Sequence, residues 1–216
     1  EVGSVLRPEH LALLASPELP ELGGQTRQIS VLFSDIRNFA TFSEKLKARE
    51  VVELLNTYLE RACAVLLAEG ATIDKFIGDA IMAEFGAPLA QDDHARRALQ
   101  AAVALRAVAV DFRGWVEQRF AGRDLPEFDI GIGVHSGEAV IGNIGSSVRM
   151  EYTAIGDTVN IASRLEGQTK ETGAHILASR DTVSMFGGDL KTGALHRLTV
   201  KGRAAPVEAF EIISVA

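Results

Sequence analysis

Residues 71–85, ATIDKFIGDAIMAEF, hold two apolar runs, Ala71 to Ile77 and Ala80 to Phe85, separated by Gly78-Asp79. A Gly-Asp pair between two short apolar runs predicts a tight β-hairpin with Asp79 at its tip. Toward the N-terminus, Gln28 to Ser34 (QISVLFS) is rich in Ile, Val, Leu and Phe. Such a run predicts a buried strand, and it delivers Asp35 at its C-terminal end. Between strand and hairpin, Val51, Val52, Leu54, Leu55, Tyr58, Leu59, Ala62, Cys63 and Leu66 recur at helical spacing, from an N-cap at Ser43 to a stop at Gly70.

Toward the C-terminus, Asp92 to Val110 predicts a second amphipathic helix, and the acids of Asp92-Asp93-His94 suit a helix N-terminus better than a site. An Arg-rich stretch runs on to Pro126, where Trp115 and Phe120 read either as an arm packed on a partner or as a surface flap. Phe128 to His135 reads as a strand with Glu138 to Ile144 as its hairpin partner, followed by a Gly- and Ser-rich loop to Met150. A third helix over Asp157 to Thr169 and short strands at 175–178, 195–200 and 206–213 complete the chain. This order predicts an α+β fold: a ferredoxin-like βαββαβ core with additional C-terminal strands and helices on one face of a mainly antiparallel sheet.

Composition narrows the function. The chain has 216 residues, 47% of them hydrophobic, enough for one packed core. Its formal charge of −7 argues against nucleic acid as a partner and against adhesion to anionic lipid. A single cysteine, Cys63, excludes an intrachain disulfide and fits a reducing, cytoplasmic setting. The longest stretch without a charged residue, Ala139 to Val148, is half the length of a membrane helix. Glu1 stands where a starting Met would be expected, so the chain reads as a piece of a longer protein; tethering to a membrane through other regions stays open. Residues 1–25, with Pro17, Pro20 and Gly23-Gly24, read as a lead-in or coupling segment, and 26–216 as the domain proper.

Asp35 and Asp79 sit on strands that are neighbours in a βαββ unit, so their carboxylates can converge. Paired aspartates with adjacent backbone carbonyls suit hard cations such as Mg²⁺ or Mn²⁺. The competing reading is that each caps a helix or a turn. Elsewhere, His135 reads as a satisfied interior histidine, Cys63 as a core residue and Gly187-Gly188-Asp189-Leu190 as a turn.

Three blocks extend this reading: Asp35-Ile-Arg-Asn-Phe39, Lys75 to Gly86 around Asp79, and Tyr152-Thr-Ala-Ile-Gly-Asp-Thr-Val-Asn160-Ile-Ala-Ser-Arg164. In order and spacing they resemble the class III nucleotidyl cyclase catalytic domain, over about residues 28 to 213. The resemblance implies a head-to-tail homodimer with active sites at the interface. It implies that Asp35, Asp79 and the carbonyl of Ile36 bind two divalent cations per site, Mg²⁺ or Mn²⁺. It further implies that the partner protomer supplies Lys75 and Thr153 to the purine, Asn160 to the ribose, Arg164 to the α-phosphate and Lys201 to the terminal phosphates. Phe39 and Arg149 fall on the substrate side by the same resemblance, Arg149 alternatively as a solvated arginine.

The implied reaction is attack of the ribose 3′-hydroxyl on the α-phosphorus, with pyrophosphate leaving. Position 75 bears on the base: a lysine only donates, which suits a ring nitrogen of adenine and favours ATP. Thr153 stands where animal-type members carry Asp, as in a bacterial-type subgroup that includes bicarbonate-responsive enzymes. A hydroxyl both accepts and donates, so GTP remains an alternative substrate. A catalytically silent dimerisation or nucleotide-sensing module is the other alternative, and the absence of a starting Met at Glu1 leads to the expectation of an upstream regulatory domain.

Overall fold

The computed structural model describes residues 23–146, 148–199 and 206–215. Its central element is β1 (Gly23–Ile36), which pairs antiparallel with β3 (Ala80–Phe85) on one side and with β4 (Ile130–Gly145) on the other. Strand β2 (Thr72–Ile77) closes the predicted hairpin against β3, with Gly78 at φ 65° in the turn, a conformation that favours glycine. Beyond β4 come β6 (Ile176–Ser179), which is parallel to it, then β8 (Val207–Val215) and β7 (Leu190–Leu198). The order β2-β3-β1-β4-β6-β8-β7, with β5 (Met150–Ile155) paired to β4, contains the expected βαββαβ core and its C-terminal extension.

The helices do not share one face. Helices α1 (Phe39–Lys45), α2 (Ala48–Ala68) and α3 (His94–Arg119) contribute to a core with Leu32, Ile36, Ile130, Ile132 and Val134. Helix α4 (Asp157–Thr172) lies on the opposite face, where Ala162 joins Ile29, Val31 and Phe33. Side chains alternate along a strand, so β1 is apolar at consecutive positions because both of its faces are covered. Gly133 permits the second covering: a Cβ there would lie 2.2 Å from the Glu166 nitrogen and 2.4 Å from the Ala162 carbonyl oxygen.

Three further expectations are corrected. Ser43 is not an N-cap but lies within α1; the long helix starts at Ala48, where the backbone N–H of Lys47 donates to Glu50 Oε2 at 2.7 Å. The β4 region is one strand rather than a hairpin. Ser136 and Gly137 continue the ladder opposite Ser30 and Ile29, and the Ser136 hydroxyl is held by Ser30 (2.6 Å) and Thr182 (3.0 Å), so no turn forms there. The reversal comes instead where the Ser146 N–H donates to the Arg149 carbonyl. Third, α3 runs to Arg119, and Trp115 and Phe120 are neither arm nor flap. Trp115 stacks on Phe112 at 4.8 Å and meets Phe120 edge-on at 5.8 Å, extending the aromatic core of Tyr58, Phe112 and Phe128.

His135 is buried and hydrogen-bonded to Ser179 (2.7 Å), and Cys63 packs half-buried against the main core, as expected of both. Helix α3 begins at His94 after Asp93, which pairs with Arg97 at 2.7 Å. A short α5 (Arg180–Met185), not anticipated from sequence, joins β6 toward β7. Among the described residues no helix is long and apolar enough to cross a membrane.

Candidate active site

Two groups of candidate side chains form within the chain. The first lies where β1 ends beside the tip of the β2–β3 hairpin. Asp35 is the next-to-last residue of β1, and Asp79 occupies the hairpin turn. Burial, then hydrogen bonding with and repulsion from Asp35, pushes the Asp79 carboxyl up to about 6, while backbone N–H groups at Asp79 and Ile36 pull it down. Asp79 Oδ2 is buried without a hydrogen-bond partner among the described residues. Two carboxylates forced together, one oxygen left unpaired, are a donor set that a divalent cation satisfies. Among the described residues no three His, Cys, Asp or Glu side chains group closely enough to hold a metal ion by themselves.

Ile36 is buried, and the segment after it is pinned. The Arg37 N–H donates to the Asp129 carbonyl at 2.8 Å, and its guanidinium donates to Ala174 (2.6 Å) and Thr169 (3.3 Å) carbonyls at the far end of α4. Phe39, opening α1, packs half-buried on the main core.

Helix α4 also brings two residues that sequence reasoning missed. Lys170 Nζ donates to Asp35 Oδ2 at 2.9 Å, and this contact holds the ammonium above the usual lysine range. Glu166, one turn earlier, has its carboxyl pushed up to about 7 by burial and then by the Asp35 charge. Their spacing along α4 was visible in the sequence, but only packing of α4 over Gly133 brings them beneath Asp35.

The second group forms where β5 meets β2. Strand β5 bonds to β4, yet in the sheet β4 is separated from β2 by β1 and β3. The β4–β5 hairpin therefore arches over the face shared by Val31, Met82 and Ile141, bringing Thr153 to β2. A register shift in β2 between Ile73 and Lys75 puts an extra residue, Asp74, into that strand, a bulge of the kind that re-aims side chains. As a result Lys75 and Thr153 both meet Asp74: Lys75 Nζ lies 3.4 Å from Oδ1, and the Thr153 hydroxyl donates to Oδ2 at 2.5 Å. Lys75 Nζ also pairs with Glu151 at 2.7 Å. Burial alone would lower the Lys75 ammonium, but Glu151 and Asp74 together raise it. Arg149 is exposed and pairs with the same Glu151 at 2.6 Å. Asp74 and Glu151 carried no motif signal beyond adjacency to Lys75 and Thr153.

Asn160 and Arg164 lie one turn apart on α4, Asn160 exposed and Arg164 half-buried, while Thr158, Ile161, Ala162 and Leu165 face inward. The structure thus unites Asp35, Ile36 and Asp79 in one group and Lys75, Thr153 and Arg149 in another. Lys201 lies outside the described residues.

A family model described as the adenylate and guanylate cyclase catalytic domain matches residues 23–213. Adenylate cyclase 1 of Rhizobium meliloti is 38% identical over 189 residues, covering 88% of this chain and 28% of that protein. Adenylate cyclase of Anabaena cylindrica is 38% identical over 158 residues, covering 73% and 30%. Among solved structures, the guanylyl cyclase Cya2 superimposes with a TM-score of 0.83 at 34% identity, covering 90% of this chain and 96% of that one. The adenylyl cyclase CyaB from P. aeruginosa gives a TM-score of 0.81, also at 34% identity, covering 90% and 98%. Fold and family match define a nucleotide cyclase domain. The chain belongs to the adenylate and guanylate cyclase catalytic domain family, with which dependence on divalent metal goes. It spans less than a third of the length of the two bacterial relatives.

Proposed function

We propose that the chain is the catalytic part of an adenylyl cyclase, converting ATP to 3′,5′-cyclic AMP and pyrophosphate at sites shared by two copies. The observation that carries this reading is the Asp35–Asp79 pair with its unpartnered buried oxygen, present in the same chain as Lys75 and Thr153 gathered on Asp74. Asp35, Asp79 and the Ile36 carbonyl hold two divalent cations, Mg²⁺ or Mn²⁺. When bound, such cations make the ribose 3′-hydroxyl a better nucleophile and neutralise triphosphate charge.

The remaining work falls to side chains. The 3′-oxygen bonds to the α-phosphorus and gives up its proton to solvent as the bond to the pyrophosphate oxygen breaks. Arg164 offers a planar donor fork to the α-phosphate as charge builds there, and Asn160 orients the ribose from the same helix face. Lys75 donates to a ring nitrogen of adenine and Thr153 accepts from its amine. Arg149, Phe39 and Lys201 complete the nucleotide's surroundings.

The dimer draws support from exposed apolar side chains around the purine-side group: Phe76 and Ile77 on β2, Val140 on β4, Val148 in the turn, and Met150 and Ile155 on β5. A second copy covers them. The much greater length of the relatives supports an upstream regulatory region.

GTP as substrate has one observation behind it: the Glu151 carboxylate beside Lys75 is an acceptor that the N–H groups of guanine match. Product analysis decides. Purified chain is incubated with ATP or GTP, each with Mg²⁺ and with Mn²⁺, at several protein concentrations. Cyclic AMP and pyrophosphate, at a rate per protomer that falls on dilution, is the expected result. Predominant cyclic GMP assigns the other base, and neither product at high concentration with Mn²⁺ overturns the catalytic reading.

A further inference from the structure

A threonine hydroxyl is an ambiguous base reader, because it donates to a carbonyl as readily as it accepts from an amine. The bulge in β2 removes that ambiguity here. Asp74 Oδ2 accepts the Thr153 hydroxyl proton at 2.5 Å and the Ala154 N–H at 3.4 Å, while the Lys75 ammonium stands 3.4 Å from Oδ1. Asp74 is only 5% exposed and Thr153 only 7%, so water offers the hydroxyl little competition for its proton. An ionised carboxylate accepts and never donates; the neighbouring ammonium and two donors favour that form, although burial outweighs them and leaves the carboxyl above its ordinary value.

We infer that Asp74 is a specificity-determining positioning residue: it fixes the Thr153 hydroxyl as an acceptor, so that the pocket takes a purine with an amine at C6 and rejects one with a carbonyl there. Lys75, 34% exposed beside it, supplies the complementary donor. The inference rests on the assignment of Lys75 and Thr153 to the base made above. Burial raises the Asp74 carboxyl, but Thr153 and Lys75 oppose that shift.

The test compares adenosine and inosine nucleotides, which differ at C6 and in the proton at N1. Binding of the 3′-deoxy triphosphates, which lack the attacking hydroxyl, is measured by displacement of a fluorescent ATP analogue, and kcat and KM are measured with ATP and ITP. Asp74→Ala narrows the preference for adenosine over inosine about tenfold, the equivalent of one hydrogen bond. Asp74→Asn, of equal size and therefore gentle on the fold, narrows it in the same direction, because an amide presents either a donor or an acceptor to Thr153. In a Thr153→Val background, Asp74→Asn leaves the ratio where it is. A merely structural role lowers binding of both nucleotides together, and an unchanged ratio in both single variants overturns the inference. So does a wild type that binds the two equally. Failure of the wild type to make cyclic AMP counts against the proposed reaction alone, since the binding ratio is read without turnover.

Discussion

Lys170 Nζ lies 2.9 Å from Asp35 Oδ2, so an ammonium from α4 sits on one of the two carboxylates assigned to metal. Cation and lysine compete for the same oxygen. Lys170→Ala is expected to tighten Mn²⁺ binding roughly three- to tenfold, read by calorimetric titration, since the variant no longer gives up an ion pair when metal binds. Weaker binding in the variant would assign Lys170 a supporting role instead.

Asp79 combines a functional demand with a structural cost. Asp79→Asn is expected to lower turnover by at least about a thousandfold. Because the folded carboxyl sits at about 6, above its unfolded value of 3.8, the wild type loses stability as pH rises between those values. The variant's thermal midpoint relative to wild type is therefore expected to improve from pH 4 to pH 8, as circular dichroism would show. A difference between variant and wild type that stays constant from pH 4 to pH 8 contradicts this.

If each site draws on both protomers, two dead chains complement each other. Asp35→Ala mixed in equal amounts with Arg164→Ala is expected to recover about a quarter of wild-type activity, because random exchange makes half the dimers mixed and each mixed dimer holds one intact site. No recovery after exchange has been verified by labelled chains counts against the shared site.

Glu84 is fully buried on β3, with neither carboxylate oxygen hydrogen-bonded among the described residues, and burial pushes its carboxyl well above the ordinary value. A raised folded value means stability that is intact below the unfolded value of 4.5 and declines as pH climbs above it. Glu84→Gln removes the titration. The stability difference, variant minus wild type, is expected to grow from pH 5 to pH 8 by up to about 1.4 kcal/mol per pH unit, measured by urea unfolding. A flat difference refutes the assignment.

Much of the architecture was legible in local pattern. Gly78-Asp79 between apolar runs marked the hairpin because a tight turn constrains backbone geometry locally, and the spacing from Val51 to Leu66 marked α2. The misreadings came where tertiary contacts overrode local signals. Ser136-Gly137 resembles a turn, but Ser30 and Thr182 satisfy its hydroxyl within a continuous strand. Trp115 and Phe120 sit among arginines in sequence, yet pack on Phe112, because guanidinium groups reach water while their neighbours stay buried. The run QISVLFS marked a buried strand beneath helices on one face, and only the packing of α4 showed that its second face is covered as well.

The sequence by itself determined which residues are available: a paired acid at a strand end and a hairpin tip, a donor-only lysine, and an Asn and Arg one turn apart. Residue type and short-range spacing set those, since turns, helix faces and donor inventories are local properties. Only the tertiary structure decided their company. The arch of the β4–β5 hairpin and the bulge at Asp74 put Thr153 and Lys75 around the Asp74 carboxylate and Glu151 against Lys75, and close packing of α4 on Gly133 set Lys170 against Asp35. Such contacts join residues far apart in the chain, and they exist only because the sheet's two faces are covered by different elements.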